Sequence, residues 1–185
     1  MTSREQVEYS ELRATIRERG TARVWLFAVG MVAWGALAVA TSGLAVTPVA
    51  TLVPLVVVAS VFEGVFALHV GVERVGRYLQ AFHEAADGEA RWEHTAMAFG
   101  RPSGAVRPGA LFFIPFLLAA LINMIPALVV EPTRSEVIFV VGAHALFVLR
   151  LVVAREGTRK QRAVDLARFQ EIKNGRQAGM TGSTR

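Results

Sequence analysis

Apolar residues in this chain fall into four long blocks, at about 24–40, 49–72, 109–130 and 137–154, with most of the polar and charged residues in what lies between. Within a block the residues are apolar on every side, with neither the two-residue alternation of a barrel strand nor the single stripe of a surface helix. Each block has 17 or more residues, and about 20 helical residues cross the ~30 Å hydrocarbon layer. Backbone groups in lipid must be satisfied within their own segment, which leaves helix as the conformation. The pattern therefore predicts an all-α integral membrane protein with four transmembrane helices in an up-down bundle.

Three further elements flank the spans. Residues 3–19 read as an amphipathic amino-terminal helix, opened by a capping box of Ser3 and Gln6, striped by Val7, Leu12 and Ile16, and ended by Gly20. The second helix continues past its charged boundary, since Val72, Val75, Leu79, Phe82 and Ala86 recur at spacings of three and four. That stripe must pack on the amino-terminal helix, the carboxy-terminal helix or another subunit. After the fourth span, 155–173 reads as a basic helix stopped by Asn174-Gly175 and followed by a tail. The expected organisation is a cytoplasmic segment 1–23, a membrane domain 24–154 with a cytoplasmic loop 73–108, and a basic cytoplasmic segment 155–185.

Composition agrees with the pattern: 53% of the 185 residues are hydrophobic and only 19% charged, so a soluble fold is the poorer reading. Lys and Arg number five in 1–23, none in 41–48, five in 73–108, one in 131–136 and eight in 155–185. Loops rich in Lys and Arg stay cytoplasmic, so the expectation is a multi-pass protein of a bacterial inner membrane with both termini inside. Ala38-Val39-Ala40 resembles a signal-peptidase site. The long preceding segment carries Glu5, Glu8, Glu11 and Glu18, however, so the first block is expected to remain as a membrane helix. Arg155, Arg159, Lys160 and Arg162 cluster just inside the fourth span and, with Arg150 snorkelling from above, are expected to meet lipid headgroups. Nucleic acid is not an expected partner, because no aromatic interleaving or recognition motif accompanies the positive charge.

The chemistry-bearing residues inside the blocks are few: Glu63 and His69 in the second, Asn123 in the third, His144 and Arg150 in the fourth. Counting outward from the inner charges Glu73/Arg74 and Arg155/Glu156 puts Glu63 and His144 both roughly 15 Å deep. A Glu63, His144, Asn123 cluster is then permitted, while counting from the outer ends levels Glu63 with Arg150 instead. Ser60, Gly64, Ala67 and Gly71 form a small-residue row that lets a neighbouring helix approach and is expected to bury Glu63. Haem held by His69 and His144 is disfavoured by a depth difference of roughly 10 Å. His83, Glu84, Asp87, Glu89, Glu93 and His94 are the local group of possible metal ligands, read here as a solvated polar face. Nucleotide, zinc-protease and serine-hydrolase motifs are absent from the sequence, and with no cysteine there is no thiolate chemistry.

No catalytic set, metal site or cofactor is therefore expected. The leading functional expectation is a non-enzymatic accessory or scaffold subunit, as a homo-oligomer or within a larger membrane complex. A small oligomeric proton- or ion-coupled transporter or channel using Glu63 and His144 is the alternative, and a membrane enzyme or haem-binding subunit ranks third.

Overall fold

The structure is a computed structural model that describes residues 2–44, 47–84, 92, 95, 112–129 and 131–182. It is helical, with no strand among the described residues. Helix α1 runs Ser3–Leu44, and α2 runs Leu52–Leu79, entered through a 3-10 turn, Pro48–Thr51, and left through a π turn, Gln80–Glu84. Helix α3 runs Ile114–Val129 and α4 runs Arg134–Gly182. Three helical stretches, Ser3–Gly43, Pro48–Glu84 and Arg134–Gly175, are long and apolar enough to cross a membrane. The third sequence block appears as the shorter apolar helix α3, 16 residues with Pro126 inside it.

Three expected boundaries are corrected. Gly20 does not end a separate amino-terminal helix; α1 passes through it for 42 residues. Likewise α4 runs unbroken through Gly157 and Gly175 for 49 residues, joining the fourth block to the basic segment. A glycine inside a helix costs about 1 kcal/mol relative to alanine, which favourable residues on both sides outweigh. The cap of α1 also lies one residue earlier than Ser3 and Gln6. The Thr2 N–H donates to Glu5 Oε2 at 2.7 Å, and the Glu5 N–H donates to Thr2 Oγ1 at 3.4 Å, closing a reciprocal box. Ala86, the last position of the stripe expected on α2, lies outside the described residues.

The chain divides into two compact units, one of Ala22–Ala67 with Pro108–Glu156, the other of Met1–Thr21, Leu68–Arg107 and Gly157–Arg185. The first is built around Phe62, which is fully buried. Its ring stacks on Phe66 at 5.5 Å and meets Phe116 and Phe147 edge-on at 5.2 and 6.0 Å. Such aromatic pairs contribute about 0.5–1.5 kcal/mol each beyond area burial. Val58, Val65, Ala119, Ala120 and Leu151 complete the packing. Helix α1 approaches α2 at Gly30, where an added Cβ would lie 2.3 Å from Val61 Cγ2.

In the second unit the core is mixed. Leu79 is fully buried, beside Arg77 and Asp165 that are nearly so. Arg77 donates to Asp165 Oδ2 at 2.8 Å and also pairs with Glu73. Glu73 in turn accepts from Arg162 at 2.8 Å. A buried charge is tolerated when its hydrogen bonds are supplied in this way.

Candidate functional site

A buried polar arrangement ties together the start of α2, the middle of α3 and the amino-terminal part of α4. Asn123 Nδ2 donates to the Thr51 carbonyl at 2.7 Å and lies 3.2 Å from His144 Nε2. His144 Nδ1 lies 2.8 Å from the Val140 carbonyl. All three of Thr51, Asn123 and His144 are buried. A carbonyl only accepts, so Nδ1 carries the proton that bonds Val140, leaving Nε2 as the acceptor for Asn123. Both amide hydrogens of Asn123 are then used, and turning the amide would set its oxygen against the Thr51 carbonyl. For a neutral ring the network thus selects the Nδ1–H tautomer and one amide orientation.

Glu63 is not part of this cluster. It accepts from Arg150 Nη2 at 2.7 Å, and the Arg150 guanidinium lies over the rings of Phe66 and Phe62 at 5.3 and 5.6 Å. The expectation that Glu63 and His144 are level fails for a specific reason. Glu63 faces a residue 87 positions later, whereas matching Glu73 to Arg155 assumed 82, an error of about 8 Å along the helix. Charged residues of α2 and α4 do not begin at a common level; Glu73 in fact faces Arg162. Counting from the outer ends gives the observed pairing.

The burial expected for Glu63 is also absent: the Arg150 and Glu63 side chains are 39% and 49% exposed. Ser60 and Ala67 are exposed as well. Gly64 faces α1 instead, where an added Cβ would lie 2.7 Å from Leu26 Cδ2. In the second unit, Gly71 similarly faces Arg19, with Nη1 2.8 Å from such a Cβ. The small-residue row therefore divides into two glycines against α1 and an outward Ser60 and Ala67.

Of the expected headgroup set, Arg150 pairs with Glu63 and lies over two phenylalanines, and Arg162 pairs with Glu73. Arg155 and Lys160 are exposed, while the side chain of Arg159 lies outside the described residues. Of the stripe on α2, Leu79 is fully buried within the chain and Val72, Val75 and Phe82 are half-buried. The neighbours come from α1 and α4: the Tyr78 hydroxyl donates to Glu8 Oε1 at 2.6 Å, the Phe169 ring meets Tyr78 and Phe82, and Lys173 donates to the Ala81 carbonyl at 2.8 Å.

Sequence reasoning missed the group around His83. His83 is buried between the rings of Tyr9 and Tyr78 at 5.8 and 6.0 Å, and its Nε2 lies 4.0 Å from Glu8 Oε1. Glu84, fully buried, lies 3.7 Å from Arg13 Nη2. Neither is the solvated polar face expected of them. The signal available was the continued apolar stripe of α2, which turns residues 83 and 84 toward the same partners. Asp87, Glu89, Glu93 and His94 lie outside the described residues. Among the described residues no group of three or more His, Asp or Glu is placed to hold a metal ion. No protein-family model matches the chain, and no curated protein or solved structure is significantly similar to it.

Proposed function

We propose that the chain is a multi-pass membrane protein of scaffold or accessory type, whose polar intramembrane residues hold helices together instead of moving protons or ions. The observation that carries this reading is the closure of the His144 network. A carried proton on His144 would have to add at Nε2, the nitrogen that faces Asn123. Here a second proton on His144 would point Nε2–H at an amide whose own hydrogens are aimed at it, and rotating the amide would break its bond to Thr51. Glu63, the other candidate carrier, is paired with Arg150 and belongs to a different place on α2.

The membrane setting is supported by the outward faces. On α1, Trp25, Val29, Val32 and Val39 are all exposed, as are Leu121, Ile125 and Leu128 on α3. Apolar surface on this scale is stable against lipid tails or protein and unstable in water. The reading is tested with purified protein in liposomes across pH 5 to 8. The expected outcome is no proton or cation flux from wild type, from Glu63→Gln or from His144→Ala, with the last losing thermal stability. Flux from wild type that Glu63→Gln abolishes would overturn it in favour of a transporter.

A further inference from the structure

Resting on that reading, we propose that the scaffold's partner in the bilayer is a second copy of itself, seated on the face of α2 and α4 that presents Glu63 and Arg150. The pair carries both signs side by side and is half-exposed in the middle of an apolar block. Two copies inserted with the same topology are related by a two-fold axis along the membrane normal, and such an axis preserves depth while exchanging left and right. Glu63 and Arg150 are at one depth, since they are hydrogen-bonded across α2 and α4. The rotation therefore sets Glu63 opposite Arg150 of the partner subunit and the reverse, so that two half-open ion pairs close into one ring of four alternating charges. A pair staggered in depth would not match itself in this way.

Shape agrees with charge. Helices α2 and α4 run in the same direction, because His144 joins Thr51 through Asn123 while Arg150, farther along, joins Glu63. By the separation of 87, Leu146 is level with Ala59 and Ser60, and Val153 with Phe66 and Ala67. Ser60 and Ala67 are small and exposed on α2; Leu146 and Val153 are larger and exposed on α4. Under the same rotation the large residues of α4 meet the small residues of α2 above and below the charges, the packing that close helix association in lipid requires. Arg150 already lies over Phe62 and Phe66 and pairs with Glu63 within the chain, which lowers the ordering that association would require.

The wild type has no cysteine, so inter-copy contacts can be read by disulfide formation. Full-length Ser60→Cys and Leu146→Cys chains carrying different tags are co-expressed and oxidised in native membranes. A mixed-tag dimer is expected in high yield, against little from Ser60→Cys paired with Val24→Cys on α1. In parallel, Glu63→Arg and Arg150→Glu expressed singly should each lose dimer by native mass spectrometry, and co-expressed should recover it, because each complements the other across the axis. Folding of the single variants is checked by thermal unfolding; the cysteine pair, at exposed positions, serves whether or not they fold. A wild type that is monomeric, or a Ser60–Leu146 yield no better than the α1 control, would overturn the proposal. A monomer without ion flux would remove the dimer and leave the scaffold reading, whereas a dimer with flux would do the opposite.

Discussion

At Asn123 one side chain satisfies two acceptors that no other hydrogen bond in the network reaches. Asn123→Leu keeps the volume roughly but leaves the Thr51 carbonyl and His144 Nε2 without that donor. Leaving a buried group unpaired costs about 1–3 kcal/mol, although intramembrane pairs measured by double-mutant cycles average nearer 0.6. Replacing both partners by apolar residues is far milder than replacing one. Thermal unfolding in detergent should therefore rank wild type above the double variant Asn123→Leu, His144→Phe, and that above either single variant. A double variant as poor as the sum of the singles would show that the two residues act independently. The residue scale is also where the sequence was least legible. The polar residues inside the blocks are visible at once, but of the expected cluster of Glu63, His144 and Asn123 the structure brings only the last two together. Which neighbour Glu63 meets depends on a five-residue choice of register, and composition carries no information about that.

At the element scale, periodicity found the long helices and misjudged their ends. Apolar blocks are legible because lipid or core must surround them. Helix ends are set by caps that compete within one or two residues, as Thr2 with Glu5 does against Ser3 with Gln6. The Thr2 backbone N–H, then the Thr2 hydroxyl, bond the Glu5 carboxylate and lower its pKa from the ordinary value of 4.5. A lowered folded pKa stabilises the cap above the unfolded value and loses that contribution as pH falls through the folded one. The first turn of α1 should thus remain formed through the pH range in which ordinary glutamates protonate and fray only below it. The measurement is the Glu5 carboxyl titration by NMR together with amide exchange in the first turn. Thr2→Pro, which removes the backbone donor, should return the Glu5 midpoint toward 4.5; an unmoved midpoint would assign the shift to something other than the cap.

At the scale of the whole molecule, Met1–Thr21, Leu68–Arg107 and Gly157–Arg185 are distant in sequence and fold as one unit. Together they hold 16 of the 20 Lys and Arg. In a membrane-embedded chain, contacts such as Tyr78 to Glu8 and Arg77 to Asp165 require these stretches to lie on the same side. By the positive-inside rule, the distribution of Lys and Arg predicts the cytoplasmic side. Contact and charge are separate arguments, one about which segments share a compartment and the other about which compartment it is. Single cysteines separate them, since there is no native thiol. Thr47→Cys and Glu131→Cys, exposed residues outside the helices, should react with a membrane-impermeant maleimide in intact cells. Ser10→Cys on α1 and Gln170→Cys on α4, both exposed, should react only after permeabilisation. If Ser10 and Gln170 react together in intact cells while Thr47 is protected, the unit is intact and the charge rule has been misapplied. If Ser10 and Gln170 report opposite sides, the unit itself is wrong, because no hydrogen bond between α1 and α2 or between α2 and α4 can reach across a bilayer.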